Sequence, residues 1–207
     1  MSWKKNPASG WKLYCIVDSA TQRSKDPVKS SRSLFADGAD ILQLRYKNYP
    51  SGALVRIAKK IQQSRKKRGK TLLINDRVDV ALASGADGVH VGEGDFSTGL
   101  SRRLLGSSSV IGKTVHSASE AKRAACEEID YVSAGPIFST PLKRGLKARG
   151  PRFIKKIKKC VSVPVFAIGG INKKNVKAVL RGGAYGICVL RGAKRAKGLL
   201  KACKKAT

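Results

Sequence analysis

Short runs of apolar and β-branched residues alternate with segments of helical periodicity along the whole chain. Each of eight such runs has the length of a buried strand. They cover residues 13–17, 41–45, 71–75, 88–92, 110–115, 131–135, 163–168 and 186–190. Strands that alternate with helices form parallel sheets, and eight such units are the number that closes a barrel. The pattern therefore predicts an α/β fold, a single-domain (β/α)8 TIM barrel.

A recurring glycine marks the ends of the predicted helices. Gly38, Gly85 and Gly183 each end a helical segment just before a strand, where glycine adopts the left-handed conformation that stops a helix. At 207 residues the chain holds one substantial core but not two ordinary domains. We predict one barrel domain over residues 1–207, with residues 1–11 as an N-terminal extension. A doubly wound open sheet is the alternative, but the glycine-rich turn typical of it is missing after the first strand.

The composition is strongly basic, with 43 Lys and Arg, 13 Asp and Glu, and a formal net charge of +30. Residues 131–207 contain twenty Lys or Arg and no acid. Such a charge attracts polyanions such as nucleic acids. Most of these cations fall at helical spacing, as in residues 153–159, which is typical of a solvated helix face. We therefore expect nucleic acid binding to be non-specific at most.

No apolar run has the length of a membrane span, and the N-terminus lacks the apolar stretch of a signal peptide. We therefore expect a cytoplasmic protein without a membrane partner. The five cysteines are scattered and show neither disulfide nor zinc spacing. The sequence is compatible with a homo-oligomer but does not specify one.

In a (β/α)8 barrel the active site lies at the carboxyl ends of the strands, so polar residues just past each strand are the candidates. Gln43 and Arg45 at the end of the second strand and Lys47 just past it are spaced by two residues, which turns their side chains to one side. Two cations there indicate an anion clamp. The alternative is a basic strand end without a ligand.

Acidic residues follow the third and fourth strands, in Asn75-Asp76-Arg77 and Glu93-Gly94-Asp95. Because these strands are neighbours, Asp76 and Asp95 are expected side by side. Two carboxylates with substrate phosphates and water are the ligands of Mg²⁺. The alternative is a pair of helix N-caps. Glu93 is either a further ligand or a source of repulsion.

The remaining strand ends add further candidates. Thr114 and His116 end the fifth strand, as a substrate contact and a possible acid or base. Ser117 and Glu120 form a capping box that starts a helix, and His90 within the fourth strand is expected to be structural. A long loop, typical of a lid, carries Thr140 and Lys143. Gly169 and Gly170 follow the seventh strand, where this fold usually binds phosphate.

The chain resembles the thiamine phosphate synthase family and its relatives, the TenI-type thiazole tautomerases. The segments that carry the resemblance run from the first strand to the eighth. They are Gln43–Lys47 (Q-L-R-Y-K), residues 74–81 (I-N-D-R-V-D-V-A), 85–92 (G-A-D-G-V-H-V-G), 135–140 (G-P-I-F-S-T) and 167–171 (A-I-G-G-I).

The resemblance implies a synthase that joins hydroxymethylpyrimidine diphosphate to thiazole phosphate and releases pyrophosphate. It implies that Gln43, Arg45, Lys47 and Asn75 hold the pyrimidine diphosphate and that Asp76 and Asp95 bind Mg²⁺. Lys143 then contacts the diphosphate, and Thr140, Gly170 and Arg191 belong to the thiazole phosphate side. Arg45, Lys47 and Lys143 are the expected catalytic residues of the synthase, and His116 is the expected catalytic residue of the tautomerase. Small phosphorylated molecules are the expected partners.

The chain departs from the family pattern at Glu93, Leu142 and Arg191. Three functions therefore stay open. A synthase is favoured by the paired Asp76 and Asp95, and a tautomerase would use His116 for proton transfer. The third is a barrel without catalysis that binds polyanions through its basic C-terminal third.

Overall fold

The computed structural model describes residues 10–21, 26–64, 69–141, 145, 147–190 and 196–204. Eight strands and eight helices alternate along these residues. The strands are β1 Leu13–Asp18, β2 Ile41–Arg45, β3 Thr71–Asn75, β4 Gly88–Val91, β5 Val110–Val115, β6 Tyr131–Ala134, β7 Val165–Ile168 and β8 Gly186–Val189. The helices are α1 Pro27–Ala36, α2 Ser51–Ser64, α3 Val78–Ser84, α4 Thr98–Leu105, α5 Ala118–Ala124, α6 Arg152–Lys158, α7 Val176–Arg181 and α8 Ala196–Lys204.

The strands form one closed, parallel barrel in sequence order. The barrel closes where β1 pairs with β8, with Leu13 opposite Ile187 and Cys15 opposite Val189. The predicted fold class is therefore confirmed, and each predicted strand agrees with the structure to within two residues at its ends. The predicted helix stops are confirmed as well. For example, Gly85 caps α3 with φ at 69° and donates its N–H to the carbonyl of Leu82.

Acidic side chains fix the amino ends of several strands. Each acid precedes one strand and accepts a backbone N–H at the start of the neighbouring strand. These pairs are Asp40 with Leu13, Asp87 with Leu72, and Asp130 with Ile111. The N–H groups at the starts of strands need acceptors because they are shielded from water. Several of the few acids therefore serve the end of the barrel that is remote from the expected site.

Aromatic rings fill the lower part of the barrel interior. Phe166 lies with its ring centroid 5.9 Å from that of Tyr14 and 5.4 Å from that of Tyr131, and all three side chains are fully buried. Trp11 packs beneath Phe166 at 6.5 Å. Residues 1–9 of the predicted N-terminal extension lie outside the described residues, whereas Trp11 belongs to this inner core. The rings form a floor, so open space is confined to the carboxyl end.

The helices pack their apolar faces against the outside of the barrel. In α6, Phe153, Ile154 and Ile157 are buried, whereas Lys155 and Lys156 are exposed. The prediction that the basic residues of this segment form a solvated helix face is therefore confirmed. None of the helices in the described part of the chain combines the length and the apolar character that a membrane span needs.

Candidate active site

A cavity of about 730 Å³ opens at the carboxyl ends of the strands, above the aromatic floor. This volume lies within the range of small-molecule sites, about 300–1,000 Å³. Ten of the twelve site residues predicted from the sequence line it: Gln43, Arg45, Lys47, Asn75, Asp76, Asp95, Thr114, His116, Thr140 and Gly170. The other two, Lys143 and Arg191, lie outside the described residues.

Gln43 and Arg45 lie on one side of β2, as their spacing predicts. Gln43 is buried, and Arg45 reaches the edge of the barrel, where it forms an ion pair with Asp18. Asp18 is the last residue of β1, directly opposite Arg45 in the strand register, and only 1% of it is exposed. Asp18 is not among the residues predicted from the sequence, although its place at the end of the first strand follows the same rule as theirs.

Asp76 and Asp95 meet at the mouth of the cavity. The Nζ atom of Lys47 lies 3.1 Å from Oδ2 of Asp76. Burial, together with a hydrogen bond to Asp95 and the negative charge of that carboxyl, raises the pKa of Asp76 more than Lys47 lowers it. The two carboxyl groups therefore lie close together at the mouth of the cavity.

The backbone at Asp76 is unusual. It is the only non-glycine residue with a positive φ, 63°, in the described part of the chain. Its N–H donates to the carbonyl of His90 at 2.9 Å, which holds the turn against β4. Non-glycine residues with a positive φ cluster at functional sites, where the surrounding structure holds the strained backbone in place.

Neither aspartate caps a helix. The N-cap of α3 is Arg77 and that of α4 is Ser97, so the helix-capping interpretation of Asp76 and Asp95 is wrong.

The donor set fits a divalent cation that is shared with a substrate. No group of three or more His, Cys, Asp or Glu side chains suited to a metal occurs among the described residues. Asp76 and Asp95 would supply two carboxylates to such a cation, which is compatible with Mg²⁺ because this ion usually takes its other ligands from phosphates and water. Glu93 pairs instead with Arg123 at 2.9 Å, and both side chains are largely exposed.

His116 is held at the end of β5 by its neighbours. Its Nδ1 lies 2.6 Å from the carbonyl oxygen of Gly135 and must donate to it, so Nε2 is the unprotonated nitrogen of the neutral ring. Its backbone N–H donates to Glu120 Oε2 at 2.7 Å. The Ser117 hydroxyl caps α5 by accepting the Glu120 N–H, so the predicted helix start is confirmed.

A buried chain of polar side chains crosses the barrel below the cavity. Gln43 Nε2 donates to the Tyr14 hydroxyl at 2.5 Å, and Tyr131 donates to the same hydroxyl at 3.1 Å. The Tyr131 oxygen then accepts from His90 Nδ1 at 2.8 Å, since its own proton is already used. His90 Nε2 must in turn accept from the Thr114 hydroxyl at 2.8 Å.

This chain orients two of the predicted substrate contacts. The Gln43 carbonyl oxygen and its second Nε2 N–H stay available to a ligand, and the Thr114 oxygen stays available as an acceptor because its one proton is engaged with His90. Burial raises the pKa values of both tyrosines well above the ordinary range, so both hydroxyls are neutral. The sequence predicts a structural His90 and does not predict its contact with the cavity. The roles of Tyr14 and Tyr131 in the polar chain are not predicted either. The alternation of side chains along β4 is the signal that places His90 inside.

The loop after β7 brings backbone to the cavity wall. Gly169 and Gly170 have φ values of 101° and 62°. A Cβ atom on Gly170 would lie 2.6 Å from the carbonyl oxygen of Ser139, so this close contact requires glycine. The Phe138 N–H donates to the Gly169 carbonyl at 3.1 Å, which joins the loop after β6 to the loop after β7. The loop after β7 is one of the two loops, with that after β8, that form the usual phosphate site of the fold.

The match to a known family covers nearly the whole barrel. The sequence model of the family described as thiamine monophosphate synthase matches residues 13–193. The chain belongs to the thiamine monophosphate synthase family.

Individual members of the family are similar along most of their length. The thiamine-phosphate synthase of Methanoregula boonei is 42% identical over 179 residues, which cover 86% of this chain and 83% of that protein. The thiamine-phosphate synthase of Caldanaerobacter subterraneus subsp. tengcongensis is 38% identical over 181 residues, which cover 87% and 85%. The solved thiamine phosphate pyrophosphorylase of Pyrococcus furiosus superposes with a TM-score of 0.86 at 33% identity, covering 96% and 98% of the two chains.

The family membership agrees with the resemblance seen in the sequence. The family segments contribute Gln43, Arg45, Lys47, Asn75, Asp76, Thr140 and Gly170 to one cavity. Segments that are far apart in the chain thus meet at the carboxyl ends of the strands.

Proposed function

We propose that this chain is a thiamine phosphate synthase, which joins hydroxymethylpyrimidine diphosphate to thiazole phosphate and releases pyrophosphate. The observation that carries the proposal is the paired Asp76 and Asp95 beside Lys47, across the cavity from the Gly169–Gly170 loop. One end of the cavity suits a diphosphate with a cation, and the other suits a monophosphate.

The proposed diphosphate end uses charge of both signs. Arg45 and Lys47 bind the diphosphate oxygens, and Asp18 holds the Arg45 guanidinium in place. Asp76 and Asp95 would hold Mg²⁺, which when bound neutralises charge on the departing pyrophosphate. The reaction passes through a pyrimidine-methyl cation, so stabilising the leaving group supplies most of the rate enhancement. Lys143 is assigned to the same end from its sequence match alone.

The proposed pyrimidine contacts lie deeper in the cavity. Gln43, Asn75 and Thr114 surround this part, and the buried polar chain fixes the orientation of the Gln43 amide and leaves Thr114 as a hydrogen-bond acceptor. Thr140 and the Gly170 backbone are assigned to the thiazole phosphate, and Arg191 joins them by its sequence position. A cavity of about 730 Å³ has room for both substrates.

A tautomerase is the second candidate, and one observation favours it. The Gly135 carbonyl fixes the tautomer of His116 so that Nε2 is the nitrogen able to take a proton. In this function His116 would exchange protons with the thiazole, and the two aspartates would have no direct role.

One assay with three variants separates the two functions. The purified chain is incubated with both phosphorylated substrates and Mg²⁺, and pyrophosphate release is measured. A synthase loses at least about a hundred-fold in kcat/KM in Asp76→Ala and Asp95→Ala, because leaving-group stabilisation is lost, and keeps most activity in His116→Ala. Absence of pyrophosphate release from the wild type would falsify the synthase function. Thiazole tautomerisation that is lost in His116→Ala but kept in Asp95→Ala would establish the tautomerase.

A further inference from the structure

Three cations among the described residues line the cavity, and they lie in two places. Arg45 and Lys47 follow β2, where they pair with Asp18 and Asp76. Lys173 follows β7, three residues after Gly170. In an eight-stranded barrel β7 stands diametrically opposite β3, which carries Asp76 at its end. Lys173 is therefore separate from the proposed diphosphate end.

The charge of Lys173 has no carboxylate to neutralise it in its part of the chain. Residues 131–207 contain no Asp or Glu. No ion pair of Lys173 with an acid is found within the described ranges either. Lys173 thus brings an uncompensated positive charge to the wall of the cavity, where an anionic group of a ligand is favoured.

A glycine on α8 makes room for the end of this side chain. A Cβ atom on Gly198 would lie 2.2 Å from Cε and 2.4 Å from Nζ of Lys173, so any other residue there displaces the ammonium group. Gly198 lies in the first turn of α8, which contains no acid. The N–H groups of a first turn carry partial positive charge. The ammonium group thus lies beside Gly198 in this first turn, and an anion next to both positive groups is favoured.

We propose that Lys173 binds the phosphate of the thiazole substrate and makes the site select the phosphorylated form over the free alcohol. This inference rests on the proposed synthase function and assigns a residue to its monophosphate end. An ammonium group donates up to three hydrogen bonds to phosphate oxygens, and it complements the backbone N–H groups of the glycine loop. Gly198 leaves the space that the end of the Lys173 side chain occupies.

Calorimetric titration of the full chain with thiazole phosphate and with the unphosphorylated thiazole alcohol tests the assignment. Lys173→Ala is expected to raise the Kd of thiazole phosphate about ten-fold, the effect of one charge-assisted hydrogen bond, and to leave the alcohol unchanged. Lys174→Ala is the matched control, because Lys174 is exposed like Lys173 but does not line the cavity. Its Kd is expected to stay within about two-fold of the wild type, since a solvated surface charge contributes little.

Gly198→Ala separates ligand binding from folding. Alanine favours the helix, so we expect unchanged or higher thermal stability together with a raised Kd for thiazole phosphate. Equal Kd values in wild type and Lys173→Ala would overturn the proposal, as would failure of the wild type to bind thiazole phosphate. Binding that depends on Lys173, without any pyrophosphate release, would contradict the synthase function and support this assignment.

Discussion

Asp76 combines a strained backbone with a carboxyl group whose charged form is disfavoured. Its φ of 63° lies in the region that non-glycine residues avoid, at a cost of about 1–3 kcal/mol. Burial and the neighbouring Asp95 raise its pKa. Both features reduce the stability of the protein without a ligand. A cation between the carboxylates would remove the cost of the raised pKa, because it favours the charged form of Asp76. The residue therefore indicates selection for binding at the expense of stability.

Asp76→Asn is expected to increase the free energy of unfolding at neutral pH by on the order of 1 kcal/mol while abolishing pyrophosphate release. Because the folded-state pKa is raised, ionisation of Asp76 costs stability as the pH rises from the ordinary value of 3.8 through the raised value. The gain in the variant should therefore grow over this window and vanish below it. Asparagine also tolerates a positive φ better than most residues. Urea unfolding at several pH values measures the effect.

Asp79→Asn is the control for that experiment, because the expected change in the free energy of unfolding has the opposite sign. The hydrogen bond from Arg77 lowers the pKa of Asp79, so its charged form is favoured in the folded state. This variant is expected to lose stability above the ordinary aspartate pKa and to match the wild type at low pH. A stability of Asp76→Asn below that of the wild type at neutral pH would contradict the interpretation of Asp76.

At the scale of the elements, the packing of Gly112 in β5 against Tyr131 in β6 positions the polar chain below the cavity. Gly112 stands opposite Tyr131 in the register of these strands. A Cβ atom on Gly112 would lie 2.0 Å from Cζ and 2.3 Å from the hydroxyl oxygen of Tyr131. The glycine in β5 thus leaves the space in which the Tyr131 ring lies, and that ring carries the hydroxyl that joins Tyr14 to His90.

Gly112→Ala is expected to destabilise the fold by about 1–3 kcal/mol, because the fully buried Tyr131 ring has no free space to enter. The shift of the hydroxyl should also lower kcat, through the orientation of Thr114. Thermal unfolding and the synthase assay measure the two effects. Gly99→Ala is the matched control: Gly99 lies in α4, and no atom lies within 4 Å of the position that its Cβ would take, so alanine should stabilise that helix. Equal stability of the two variants would exclude this account of Gly112.

At the scale of the whole molecule, the net charge of +30 has two distinct parts. Arg45, Lys47 and Lys173 line the cavity, whereas residues such as Lys155 and Lys156 face solvent from α6. The solvated part raises the local concentration of anionic substrates and also repels itself in the folded state. The large net positive charge therefore favours encounter with anionic substrates but lowers the stability of the folded state.

We expect the melting temperature to rise when NaCl is increased from about 0.02 to 0.5 M, because the screening length falls well below the separation of most surface cations. The KM values for both phosphorylated substrates should rise over the same range, since screening also weakens their attraction to the cavity. Scanning calorimetry and initial rates measure these effects. A melting temperature that falls with NaCl would show that attractive ion pairs, such as Arg102 with Asp130, outweigh the repulsion.

The barrel itself could be predicted from the sequence because its signals are local. Each strand must be apolar to be buried, and each helix must end before the next strand, so apolar runs and glycine stops recur along the chain. Parallel strands have their carboxyl ends together, which is why strand-end positions alone select Gln43, Asp76, Asp95 and His116.

The partners of these residues depend on tertiary structure. Tyr131 donates to Tyr14 across 117 residues of sequence, and Lys173, in the loop after β7, fits against Gly198 of α8. Which inward side chains share a layer depends on the stagger of all eight strands around the barrel, and that stagger is fixed only when the barrel closes. The sequence by itself thus determines the fold and the positions that face the site. The tertiary structure alone decides which pairs of residues touch there, because those distances are set by closure and not by any segment.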